Sequence, residues 1–189
     1  MKQIIHMITL LVIVFTVLGC NQNSKAQTAE SGNSNIDEKK SVNNKKYGIE
    51  KGNYVIDSDI TNLMGVKEKI SDYEGKVIFL NFWATWCPPC RYEMPSMEEF
   101  NKKSKENNFV ILAVSVDRDK TSKVSQFIST NGYTFPVYHD PSGKISEKFL
   151  ITSIPQTFVI NEEGVIVDKI TGAFDWKTID LNKYKKKGD

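Results

Sequence analysis

Soft ligand chemistry is scarce in this chain: its 189 residues include three cysteines and two histidines. An even, closely spaced set of cysteines is what staples a small secreted scaffold, and no fourth cysteine exists here to complete one. His6 falls within the first twenty residues, so His139 is the one imidazole left for the rest of the chain. A zinc site needs four protein ligands, or three and a water, and beyond one cysteine pair the domain offers only His139, with no partner histidine. An excess of charge is missing too. Lys plus Arg is 25 against 23 for Asp plus Glu, a net of +2, and no basic stripe with interleaved aromatics marks a nucleic-acid surface. The late run Lys183, Lys185, Lys186 and Lys187 reads as a solvated helix end, where cations are favoured. No internal repeat is present.

The apolar residues are unevenly spread. Residues 1–20 hold 14 of them, residues 21–46 only 4, and residues 47–189 the other 57. The leader's apolar run, residues 4–18, is shorter than the roughly 20 residues a bilayer span requires, and fits the hydrophobic region of a secretory signal. Val17-Leu18-Gly19-Cys20 resembles a bacterial lipobox, which implies cleavage after residue 19 and lipidation of Cys20; an uncleaved short anchor is the competing reading. Both place the domain outside the cytoplasm and tie it to a bacterial membrane. Residues 20–46 then form a polar tether, too poor in apolar groups to offset the entropy of ordering. Residues 47–189 form one domain, large enough to bury roughly two thirds of its unfolded surface.

Within that domain, short apolar runs alternate with turn signals. Residues 77–83 (VIFLNFW) and 109–116 (FVILAVSV) read as strands covered on both faces. Further strands are expected at 54–56, 135–138, 156–160 and 165–170, the last two joined by a hairpin with Gly164 at its turn. Helices are expected over 88–107, 121–131, 143–150 and 176–185, with a looser segment over 60–73. Strands alternating with helices give an α/β fold on a central mixed sheet.

Cys87 and Cys90, separated by Pro88 and Pro89, lie where the first buried strand becomes a helix. A helix N-terminus carries partial positive charge and free amides, both of which stabilise a thiolate. Pro suits a first helical position, where its missing N–H is not needed. Such a pair can close a small ring and exchange it with another dithiol. A metal site and a purely structural bridge remain as alternatives, the latter constraining little because the loop is so short.

FLNFWATWCPPCRYEMP resembles the active-site segment of thioredoxin-fold thiol–disulfide oxidoreductases, and more narrowly the membrane-attached TlpA/ResA/CcmG-like branch. Pro95 sits where such helices carry a proline, and Thr152-Ser153-Ile154-Pro155-Gln156-Thr157-Phe158 matches the cis-proline segment. Gly172 falls where that fold brings a glycine near the redox pair, and residues 121–150 fit an extra strand–helix insertion before the cis-proline hairpin. The resemblance implies a cis Ile154–Pro155 bond, although only roughly 5–6% of X-Pro bonds in folded chains are cis. It implies that Cys87 attacks a substrate disulfide and Cys90 resolves the mixed disulfide. Trp86, Pro88, Pro89, Ile154, Pro155 and Gly172 would then border the substrate. It implies no cofactor, a monomer, and protein disulfides as substrates, those of apocytochromes c included. Electrons would come from a membrane thiol donor of the CcdA/DsbD type. A thiol peroxidase is the rival enzyme class, but the threonine that peroxiredoxins carry three positions before their cysteine is Ala84 here. A non-catalytic binding module is the third possibility.

Thioredoxin itself has a buried Asp six residues before its nucleophile, and Asn81, which cannot titrate, stands there in this chain. Glu93 offers a substitute. At about 100° per residue it falls inside the apolar arc that holds Cys90, Met94, Met97 and Phe100, away from Glu99. A carboxylate buried beside a thiol has its charged form disfavoured, and could take the proton Cys90 must lose. The branch resembled also carries a functional Glu three residues after its second cysteine.

If Cys20 is lipidated, Cys20→Ala leaves the precursor unprocessed or releases the domain from the membrane fraction. Unchanged mature mass together with unchanged membrane retention defeats the lipobox reading.

Overall fold

Two uninterrupted apolar runs govern the centre of the molecule. In the computed structural model, which describes residues 45–185, they are β5 (Val77–Trp83) and β6 (Phe109–Ser115), each buried at all seven positions. The leader, Cys20 and the tether as far as residue 44 lie outside the described residues, as do Lys186 and Lys187. Ahead of β5 come β1 (Tyr47–Gly48), β2 (Tyr54–Val55), β3 (Asp59–Thr61) and β4 (Lys67–Lys69). After it come α1 (Pro88–Asn101), α2 (Ser104–Asn107), β6, α3 (Thr121–Asn131), β7 (Val137–His139), α4 (Lys144–Lys148), β8 (Gln156–Ile160) and β9 (Ile166–Thr171).

The main sheet has the order β7-β6-β5-β8-β9. β5, β6 and β7 run parallel, and β8 returns antiparallel to β5 before turning into β9. Period-two alternation divides the core between the two faces. Val77, Phe79 and Trp83 pack with Met94 and Met97 of α1, Val124 of α3 and the later Trp176. Ile78, Leu80 and Phe82 pack with Ile145 of α4, Phe149, Ile60 and Ile70. Asn81 points to the first face with Phe79 and Trp83, and so toward α1. The expected insertion is present as β7 and α4, with β7 extending the parallel edge of the sheet.

Four expectations about local structure are corrected. The first long helix stops at Asn101 rather than 107, because residues 102–108 offer no apolar side chain to bury against the sheet; α2 follows as a separate turn. The C-terminal helix is absent and two 3₁₀ turns, Trp176–Thr178 and Leu181–Lys183, replace it. Asp175 and Asp180 accept from the amides of Lys177 and Asn182, and such local side-chain bonds compete with helix. Lys183 therefore pairs with Asp168 at 3.0 Å rather than capping a helix. The looser segment holds the antiparallel β3–β4 ribbon and a 3₁₀ turn, Ile70–Tyr73. The strand expected at 135–138 begins two residues later. By contrast α3 ends where Gly132, at φ 68°, supplies the left-handed C-terminal residue.

Phe79 gathers the first face of the core. Its ring meets Phe100, Phe109 and Tyr184 edge-on and Trp176 at a tilt, with centroids 5.3 to 6.0 Å apart. Phe79→Ala is expected to cost about 3–5 kcal/mol, read as a lower denaturation midpoint at unchanged slope; a loss below about 1 kcal/mol contradicts this packing.

Candidate active site

β5 ends at Trp83, and four residues later Cys87 is the N-cap of α1. Pro88 and Pro89 fill the first two helical positions, so the first amide available to Cys87 is that of Cys90, which donates to Cys87 Sγ at 3.2 Å. The two sulfurs form a disulfide with the Cα atoms 5.3 Å apart. Cys90 is fully buried and Cys87 3% exposed, whereas Trp86 is 62% exposed. Pro88 and Pro89 are also exposed. Any partner of this disulfide therefore meets Cys87 first, flanked by an indole and two prolines.

The expected partners converge there. Ile154–Pro155 is cis, and the Ile154 carbonyl oxygen lies 3.8 Å from Cys87 Sγ. Gly172 donates its N–H to the Pro155 carbonyl at 2.9 Å. Its φ of 86° favours glycine, which is what this left-handed backbone requires. Pro95 stands inside α1 and leaves the Arg91 carbonyl without its helical donor.

Glu93, one turn after Cys90, is 2% exposed. Asn81 Nδ2 donates to its Oε1 at 3.1 Å and the Phe174 N–H to its Oε2 at 3.3 Å. Asn81 also donates to Thr157 Oγ1, directly across the β5–β8 pairing, at 2.9 Å. The Trp176 indole N–H favours the anion from close by but completes no hydrogen bond of normal geometry. Burial outweighs these donors and raises the Glu93 pKa to about 7. Glu93 is thus a group that changes charge near neutral pH, on the helical turn below the redox pair. Asn81 holds it in place.

Sequence reasoning passed over the other anchor of this end of the sheet. Asp117 is fully buried just past β6. It accepts from the Thr85 N–H at 2.9 Å, the Thr85 hydroxyl at 2.6 Å and the Ser115 hydroxyl at 2.7 Å. The loop carrying Trp86 and Cys87 is thereby tied to the neighbouring strand. Its position was the available signal: ligands in open α/β sheets collect at the carboxyl ends of strands. His139 stands as a bonded core histidine, with Nδ1 3.0 Å from the Thr121 hydroxyl and Nε2 2.8 Å from the Asp117 carbonyl. Among the described residues no group of three or more His, Cys, Asp or Glu side chains is placed to hold a metal ion.

A sheet of this order with a Cys-X-X-Cys disulfide at a helix N-terminus, faced by a cis proline, defines a thioredoxin-fold protein. The matches to known proteins narrow this. Residues 51–169 match the AhpC/TSA family. The thioredoxin-like protein YneN of Bacillus subtilis is 36% identical over 137 residues, 72% of this chain and 80% of that one. The thiol-disulfide oxidoreductase ResA of Geobacillus kaustophilus is 37% identical over 135 residues, 71% and 77% of the two chains. Among solved structures, a protein from Chlorobium tepidum assigned as thiol:disulfide interchange protein DsbE superposes with a TM-score of 0.65 at 29% identity. It covers 72% of this chain and 96% of that one. StoA from Bacillus subtilis gives 0.57 at 27% identity, over 65% and 92% of the two chains. The chain belongs to the AhpC/TSA family and is a thiol–disulfide oxidoreductase of the ResA/CcmG type.

The Glu93 shift carries a stability consequence. With a folded pKa of about 7 against an unfolded value near 4.5, the folded chain retains a proton that the unfolded chain releases between those pH values. Stability therefore falls as pH rises through that window, by about 3 kcal/mol in full. Glu93→Gln removes the penalty, so denaturation at pH 5 and pH 8 should show the variant gaining on the parent at the higher pH. A difference between the two proteins that is constant with pH contradicts this.

Proposed function

We propose that this protein reduces disulfides in other proteins, using Cys87 as nucleophile and Cys90 as resolving thiol. The observation that carries the reading is the Cys87–Cys90 disulfide itself, at a helix N-terminus, against the Ile154 carbonyl and one turn above buried Glu93. The reduced Cys87 thiolate attacks one sulfur of a substrate disulfide, forming a mixed disulfide and expelling the other sulfur as a thiolate. Cys90 then loses its proton to Glu93 and attacks Cys87 Sγ. The second substrate thiolate leaves and the Cys87–Cys90 bond closes, two electrons having passed to the substrate. Glu93 suits the proton-accepting role because a base with a pKa near the working pH is half ready to accept and half ready to return a proton.

Direction follows from what surrounds Cys87. Only the Cys90 N–H reaches its sulfur in the first turn, Pro88 and Pro89 having none to give, and no cation lies between the cysteines. A thiolate so modestly supported favours the closed disulfide, which makes the dithiol a reductant. The substrate lies along Ile154 and Pro155, with Trp86, Pro88, Pro89 and Gly172 around it. The protein acts outside the cytoplasm, held to the bacterial membrane by a lipid on Cys20 after loss of residues 1–19. Residues 20–46 give reach to a monomeric domain over 47–189. Among the described residues no helix is long and apolar enough to cross a membrane. A membrane thiol protein of the CcdA/DsbD type recharges it, and apocytochromes c are among its substrates.

Cys90→Ser tests this reading. The variant should accumulate a mixed disulfide between Cys87 and substrate protein that dithiothreitol releases, while Cys87→Ser forms none. Absence of the adduct, with peroxide consumed instead, overturns the proposal.

A further inference from the structure

Beside the redox pair lies a groove of about 280 Å³ that shares Trp86 and Ile154 with the substrate path proposed above and continues beyond it. Trp86, Val116, Arg118, Ile151, Ser153 and Ile154 line it. Of these, Ile154 has its carbonyl 3.8 Å from Cys87 Sγ, and Arg118 belongs to the loop after β6.

The charges of this groove are unequal in freedom. Asp140 also borders it but is 3% exposed and already committed: its Oδ2 accepts from the Ile145 N–H, the Ser146 N–H and the Ser146 hydroxyl at 2.7 to 3.1 Å. Arg118 is exposed and makes no ion pair with any described residue. A guanidinium presents a fixed fork of donors suited to a carboxylate. Trp86, Val116 and Ile151 offer apolar walls for a short aliphatic stem. The walls are also preformed. Asp117, next to Arg118, fastens the Thr85 loop that carries Trp86, and Asp140 fastens the start of α4.

We propose that this groove is a specificity subsite, in which Arg118 receives an acidic side chain of the substrate protein next to the cysteine that Cys87 attacks. This rests on the exchange reaction proposed above. An extended chain advances about 3.3 Å per residue, so the side chain next to the attacked cysteine comes within reach of the groove while the cysteine itself meets Cys87. Substrates are thereby sorted by the charge beside their disulfide, with Glu favoured over Gln and Lys disfavoured.

The test uses the reduced full chain and cyclic disulfide peptides that differ at one residue, Glu, Gln or Lys. That residue precedes the attacked cysteine in one series and follows it in another. For each protein, exchange rates with the Glu and Lys peptides are divided by its own rate with the Gln peptide, which cancels any general loss of activity. At low ionic strength the parent should prefer Glu over Gln by about fivefold in at least one series, the scale of a partly exposed ion pair. Arg118→Glu should invert the order so that Lys becomes the best peptide, a gain that misfolding cannot produce. Lys120→Glu makes the same charge change two residues away, outside the groove, and should keep the parent order. Equal ratios for all peptides in the parent overturn the subsite and leave the exchange reaction standing. So does an order unchanged in Arg118→Glu, or one lost equally in Lys120→Glu. Failure of the parent to exchange with any peptide overturns the exchange reaction itself, and the subsite with it.

Discussion

The hydrogen bond from Asn81 to Glu93 is the contact on which the redox end of this protein depends. It spans from the central strand to the first long helix, 3.1 Å between Nδ2 and Oε1, and holds a carboxylate in a core that would otherwise be apolar. Asn81 satisfies Thr157 with the same amide group, so one side chain joins β5, β8 and α1. The strand β5 leads into the disulfide loop, β8 follows directly on the cis proline, and α1 carries Cys90 and the carboxylate. An amide at position 81 cannot titrate, so the ionisable group of this network is Glu93, which shares α1 with Cys90.

Buried carboxylates are the fasteners of the fold. Among the described residues four acidic side chains are buried, Glu93, Glu98, Asp117 and Asp140, and each accepts from a backbone amide of another segment or turn. Glu98 takes the Thr134 N–H at 2.8 Å, Asp117 that of Thr85 at 2.9 Å, and Asp140 those of Ile145 and Ser146. Glu93 is held the most loosely, with donors at 3.1 and 3.3 Å. Two weak donors cannot offset the cost of burial, which is why this carboxyl retains its proton up to about pH 7. A fastener weakened in this way can double as a base.

Much of this was legible in the sequence, for reasons specific to particular residues. The runs at 77–83 and 109–116 were apolar at almost every position, so strands buried on both faces were the economical reading. The three-residue spacing of Cys90 and Glu93 puts both on one helical face. Asp117 was not legible, because a lone Asp after a strand looks like any polar loop residue until Thr85 is brought to it across the sheet. Glu98 was hidden for the same reason: its partner Thr134 lies 36 residues away. The C-terminal turns were not legible, because Asp175 and Asp180 bind local amides only once the chain has turned there.

The central claim is that Glu93 is a buried base whose charge changes near neutral pH. Selective ¹³C labelling of glutamate, with the Glu93 carboxyl resonance assigned by its loss in Glu93→Gln, would follow that titration directly in the folded protein. The account predicts a midpoint near pH 7. A Glu93 resonance that titrates near pH 4.5, as an ordinary exposed glutamate does, would contradict it.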